Sequence, residues 1–269
     1  MTGPPVPGRT NPAHASERLG GVATNIACQL AGWNAAVRFV GVQPVDSLAG
    51  IEARLVTAGI EAWLAPLDGV PPGYTALQAP DGELLFGAAA MALYDAVTAS
   101  VIRPGIAATP GPIILDANFP ADTITAIASE FAAMRPLYAA ATSIAKVARL
   151  AAALPSLDAL VLNRGEAGTL LGVEMTVDDM AMSLAAGLRD GGIVLVSDGG
   201  EMAALASCDR VVTARPPHIR LANANGAGDV MAARLFFDHE SRPDMALSDR
   251  LQAALAAGAD HAARAPVDV

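Results

Sequence analysis

Seven consecutive residues carry the densest chemistry in the chain: Asn223-Ala224-Asn225-Gly226-Ala227-Gly228-Asp229. Two glycines bracket an alanine, so the backbone there can come close to a ligand. The run that follows, Val230-Met231-Ala232-Ala233-Arg234-Leu235-Phe236-Phe237, reads as a helix. A helix start leaves several N–H groups without acceptors and carries partial positive charge, a combination that suits an anion. Asp229 sits where it would repel that anion. It is either a base beside an anion hole or a capping carboxylate, because Asp is favoured at helix starts.

A second glycine pair, Gly20-Gly21, precedes Val22, Ile26 and Leu30 at helical spacing, with Gly32 as the expected C-cap. Asn25 lies about one turn into that helix. It is either a surface residue, or a ligand-binding amide beside a backbone that the glycines open. Three apolar runs then end in polar residues. Ile113-Ile114-Leu115 leads into Asp116-Ala117-Asn118, Leu160-Val161-Leu162 into Asn163-Arg164-Gly165-Glu166, and Ile193-Val194-Leu195-Val196 into Ser197-Asp198-Gly199-Gly200. None of the three alternates, as expected of parallel strands covered on both faces. Ligands of open α/β sheets bind at the carboxyl ends of the strands. Three polar endings and a Gly-rich helix start therefore predict one convergent site.

The elements that must position it follow from the rest of the chain. Residues 37–42 read as a strand, 47–58 as a helix ending at Gly59, and 245–263 as a closing helix. Ile60–Ala65, Tyr74–Ala79 and Leu84–Ala88 are short strand-like runs, with Pro80-Asp81-Gly82 a hairpin signal. They predict a small antiparallel appendage within about 60–89 that acts as a lid. The 269 residues fit a single α/β domain, and 53% hydrophobic content allows a large core.

Bulk charge limits the partners. A formal net charge of −10 argues against nucleic acid, which calls for clustered Lys and Arg. No uncharged apolar run reaches the ~18 residues of a membrane span, and no leader pattern is visible. Cys28 and Cys208 are far apart and in no metal spacing, so the expected compartment is the reducing cytoplasm. The four histidines are scattered and read as surface or capping residues. The single lysine, Lys146, is in no GxxxxGK[ST] loop, and the GxGxxG fingerprint is absent too.

Taken in order, Gly20-Gly21-x-x-x-Asn25, Asp116-x-Asn118, Asn163-x-x-Glu166, Ser197-x-Gly199 and Gly226-Ala227-Gly228-Asp229 resemble the ribokinase, or PfkB, family of carbohydrate and nucleoside kinases. The resemblance runs from Thr10 to Ala263. Within that family, several stretches look like the pseudouridine kinase branch: Thr10-Asn11-Pro12, Asp81-Gly82-Glu83-Leu84, Met91-Ala92-Leu93-Tyr94-Asp95, Ser143-Ile144-Ala145-Lys146 and Asn163-Arg164-Gly165-Glu166-Ala167. The resemblance implies a three-layer α/β/α fold with a mostly parallel central sheet and a small β lid. It implies ATP, Mg²⁺ and in some members K⁺, and a homodimer paired through the lid.

It also implies roles. Asp229 is the base, and the N–H groups of Gly226, Ala227 and Gly228 form the anion hole. Gly20, Gly21 and Asn25 hold the sugar. Asn163, Ser197, Gly199 and Asn225 serve the nucleotide, and Glu166 orders Mg²⁺ through water. Asp116, Asn118 and Lys146 complete the site. The chain departs from the family where it starts with Met1-Thr2-Gly3-Pro4-Pro5 in place of an apolar strand bearing an Asp. The first core strand is expected to be missing, either because the start lies upstream or because this is a shortened relative. Asn223-Ala224, Ala90 and Met202 also stand where the family has other residues. Beside the pseudouridine reading stand a kinase for another sugar or nucleoside, a degenerate member that binds without catalysis, and a nucleotide-binding regulator.

Overall fold

The structure is a computed structural model that describes residues 6, 8–79, 84–222 and 225–264. The first half holds α1 (Val22–Gly32), β1 (Arg38–Gln43), α2 (Val45–Thr57), β2 (Glu61–Pro66), β3 (Gly73–Gln78), β4 (Leu84–Ala90), α3 (Ala92–Asp95), α4 (Ala99–Ala107) and β5 (Ile113–Asp116). Then come α5 (Ala121–Phe131), β6 (Leu137–Ala140), a 3₁₀ helix (Val147–Ser156), β7 (Ala159–Asn163), α6 (Arg164–Leu171), α7 (Val177–Ala185) and β8 (Ile193–Ser197). The chain closes with β9 (Ala203–Ala206), β10 (Val211–Ala214), α8 (Ala227–Ser241) and α9 (Leu247–Ala262).

Strands β5 to β8 run parallel in sequence order, and β9 and β10 extend the sheet antiparallel. The apolar runs that give no alternation in sequence do alternate in space. In β8, Val194 and Val196 belong to the core cluster that includes residues of α4, α5, α6 and α7, while Ile193 and Leu195 belong to the one that includes residues of α1, α8 and α9. Both faces are dry, so no position in the run calls for a polar residue. Parallel order also puts Asp116, Asn163 and Ser197 at one edge of the sheet, with Asn163 directly opposite Ser197.

The run at 60–65 differs from expectation. It is β2, and it pairs parallel with β1 rather than joining the antiparallel hairpin of β3 and β4. Its buried ends, Ile60 and Ala65, pack into the body. The hairpin turn at Pro80-Asp81-Gly82 lies outside the described residues. Among the described residues no strand precedes α1, and no ladder joins β1 to β5, so the parallel pairings fall into two groups, β1–β2 and β5–β8. α1 touches both groups, and α4 spans from β1 and β2 to α5. The close of α1 also differs: Gly32 is its last helical residue, and Asn34 takes the left-handed conformation, at φ 62°. Asn is among the few side chains that adopt that region at low cost.

Candidate active site

α8 begins as the glycines require. Gly226 is its N-cap in the left-handed region, at φ 85°, a conformation that a Cβ disfavours. The first-turn N–H groups of Ala227 and Gly228 have no acceptor within the helix. Asp229 occupies the third helical position, yet its carboxylate does not serve the helix start. Its Oδ2 accepts from Asn25 Nδ2 at 2.6 Å, across from the first turn of α1. Gly21, the N-cap of α1, also has a positive φ, 97°, and is exposed, as is Gly20. Two glycine-started helices thus face each other, with one amide and one carboxylate between them.

The Asp229 carboxyl is pushed up to about 6. Burial is the main cause, and the nearby charges of Asp116 and Glu166 add to it. The Asn25 hydrogen bond and the His261 ring oppose it. A carboxylate with that value is ionised at neutral pH and still basic enough to accept a proton in a reaction.

The end of β5 forms a linked polar group. Asp116 accepts from the N–H of Asn118 at 2.9 Å and from its side-chain amide at 2.6 Å. Burial raises the Asp116 carboxyl, against those two bonds, the N–H of Ala23 in α1 and the charge of Lys146. Lys146 Nζ donates to Asn118 Oδ1 at 2.8 Å. Burial and the neighbouring Arg149 lower the lysine, while Asp116 and Asp95 favour its charged form. Sequence reasoning missed two supports here. Arg149 donates to the Asn118 carbonyl at 2.6 Å and to Asp95 at 2.8 Å. The Thr142 hydroxyl accepts from the N–H of Ala117 at 3.0 Å. Neither contact has a local spacing signal, because each spans 25 residues or more.

Beyond β7, Asn163 and Glu166 close a capping box. Asn163 Oδ1 accepts from the Glu166 N–H, and Glu166 Oε2 accepts from the Asn163 N–H, both at 2.9 Å. Burial raises the Glu166 carboxyl, and the Asn163 N–H partly offsets that. At the end of β8, Ser197 is buried and Gly199 is exposed at φ 56°. Asp198 between them is tied to Arg164 at 3.0 Å. Asn225 is exposed at the mouth of the α8 turn, while Asn223 and Ala224 lie outside the described residues.

The carboxylates suit Mg²⁺ of a particular kind. Asp229 feels the charges of Asp116 and Glu166, yet no group of three ligating side chains stands ready to cage an ion among the described residues. Mg²⁺ keeps waters readily and binds through one or two carboxylates plus substrate phosphates. The site fits that mode.

Phosphoryl transfer asks little covalent chemistry of a protein beyond positioned donors, charge and a base, and residues of those kinds gather at this edge. Comparison with known proteins narrows the class. The pfkB family of carbohydrate kinases matches residues 6–259. A carbohydrate kinase from Agrobacterium tumefaciens is 30% identical, with a TM-score of 0.80 over 95% of this chain and 83% of that one. The chain therefore belongs to the pfkB family of carbohydrate kinases and is a phosphotransferase. Ribokinase from Thermotoga maritima shares the fold at 17% identity and TM-score 0.77, over 96% of this chain and 86% of that one. Adenosine kinase from Sinorhizobium meliloti does so at 20% and 0.73, over 92% and 80%. No curated protein matches the chain. Among the described residues no helix is long and apolar enough to cross a membrane.

Proposed function

We propose that the chain transfers the γ-phosphoryl group of ATP to a hydroxyl of a sugar or nucleoside, and that the acceptor is pseudouridine, giving pseudouridine 5′-phosphate. The observation that carries the reaction is the Asn25–Asp229 hydrogen bond at the start of α8. A hydroxyl entering there meets an orienting amide and a base together. Asp229 takes the hydroxyl proton as the oxygen bonds to the γ-phosphorus. The bond from that phosphorus to its bridging oxygen breaks, and ADP leaves. The N–H groups of Gly226, Ala227 and Gly228 hold the charge on the transferring oxygens. Gly20 and Gly21 let the sugar approach the backbone. Asn163, Ser197, Gly199 and Asn225 serve the nucleotide, and Glu166 would hold the Mg²⁺ region. Mg²⁺, when bound, neutralises the phosphate charge.

The acceptor reading rests on the Ser143–Lys146 and Asn163–Ala167 stretches and on Lys146, which is held against Asn118 beside Asp116. The β3–β4 hairpin is proposed as a lid that excludes water. Its exposed Tyr74, Leu77 and Phe86 are proposed to pair with a second copy, which light scattering in solution measures. A second reading, binding without catalysis, draws on the absence, among the described residues, of a ladder between β1 and β5 beside the helix that carries Asn25.

ADP release with pseudouridine, uridine, adenosine and ribose, with and without K⁺, tests these readings. Preference for pseudouridine supports the proposal. Turnover confined to ribose or adenosine would overturn the acceptor and leave the kinase. Nucleoside binding by calorimetry with no turnover of any acceptor would favour the second reading.

A further inference from the structure

α9 is docked on the catalytic turn by two residues one helical turn apart. Gly258 allows close contact: a Cβ there would lie 2.5 Å from Met231 Cγ and 3.2 Å from the Ala227 carbonyl oxygen. Three residues on, and so on the same helical face, His261 Nε2 meets the Asn225 carbonyl at 2.9 Å. A carbonyl only accepts, so Nε2 carries the proton in this contact. The ring also borders Gly226, where an added Cβ would stand 3.3 Å from His261 Nε2 and 3.7 Å from Asn25 Nδ2.

The consequence lies in one peptide plane. The Asn225 carbonyl and the Gly226 N–H belong to the same trans peptide and point in opposite directions. Holding the carbonyl on the α9 side turns the Gly226 N–H away from α9. Gly226 is left-handed at φ 85° and lacks a Cβ, so its own side of that plane offers little steric resistance to rotation. We infer that His261 is a positioning residue for phosphoryl transfer: it fixes the Asn225–Gly226 peptide and so aims the first donor of the anion hole. The inference rests on the reading of the α8 start as the phosphoryl site. The His261 ring lines an open cleft of about 370 Å³ with Gln29, Trp33, Arg234, Asp260 and Arg264. Truncating it enlarges an open space rather than leaving a sealed void, so the variant is expected to fold.

The experiment uses the full chain with His261→Ala and His261→Gln, because a glutamine amide can donate from a similar position. Two readouts are taken. Amide exchange at Gly226, Ala227 and Gly228, without substrate, is expected to speed about tenfold in H261A and to return toward wild type in H261Q. In the acceptor assay, kcat of H261A is expected to fall about 10- to 100-fold with KM for ATP nearly unchanged, and H261Q to recover most of it. Unchanged exchange in H261A, unchanged kcat, or equal loss in both variants would overturn the inference. Full turnover by Asp229→Asn would instead overturn the reading of the site, and the exchange data would still decide whether His261 braces the turn.

Discussion

Helices α6 and α8 each carry a carboxylate at the third position of the first turn and use it in opposite ways. In α6, Glu166 bends back to the Asn163 N–H and closes a capping box. In α8, Asp229 reaches out of its helix to Asn25 of α1. The difference begins one residue before each helix. Asn163 offers a side chain that pairs with Glu166, whereas Gly226 offers none and turns the chain through the left-handed region. Position in a helix therefore does not assign a role to an acidic residue. In these two helices the N-cap differs: Asn163 accepts a helix N–H, and Gly226 offers no side chain to do so.

The contrast can be broken most severely at Asp229. Asp229→Asn keeps the shape and the contact to Asn25 but removes the base. Turnover is expected to fall by about 10³-fold or more, with ATP affinity by calorimetry held within about threefold. Retained turnover would remove the α8 carboxylate's role as base.

Asn25→Ala removes the partner rather than the base. The kcat/KM for the acceptor is expected to fall about 10- to 100-fold, because an orienting group is lost and the charged form of Asp229 loses a hydrogen bond.

Glu166 should respond weakly and differently. Glu166→Ala opens the capping box and is expected to cost about 1 kcal/mol in urea unfolding. Glu166→Gln can keep the box, because Gln also closes it, and should spare stability while raising the Mg²⁺ concentration needed for half-maximal rate. Equal stability loss in both variants would remove the separate role of the charge.

The two carboxylates were not equally legible in the sequence. Gly226-Ala227-Gly228-Asp229 announces itself by its glycines, and β5, β7 and β8 by apolar runs that stop at polar residues. These features are local, and so sequence reports them. β6 and β9 are four-residue strands rich in alanine and wholly buried, which look like any small apolar stretch. The pairing of β2 with β1 depends on a partner across the length of α2, so nothing within 60–66 separates it from the hairpin strands that follow. Thr142, Arg149 and His261 reach the site from other elements. His261 meets a carbonyl 36 residues away, and in sequence it is one of several scattered histidines. Family resemblance supplied the order of the motifs and their roles. The hydrogen bond between Asn25 and Asp229, 204 residues apart, needed coordinates.

The pH dependence of acceptor kcat/KM, from about pH 5 to about pH 8, tests the central claim most directly, because it reads the ionisation of the free enzyme's base. The Asp229 carboxyl stands at about 6 through burial and the charges of Asp116 and Glu166. A base works only when ionised, so the rate should rise with pH through about 6 and level off above it. Asn25 favours the charged form, so Asn25→Ala should move that limb to higher pH. Removing the charge of Glu166 with Glu166→Gln should move it lower. A profile that is flat across this range, or a limb that neither substitution moves, would contradict the assignment of Asp229 as the base.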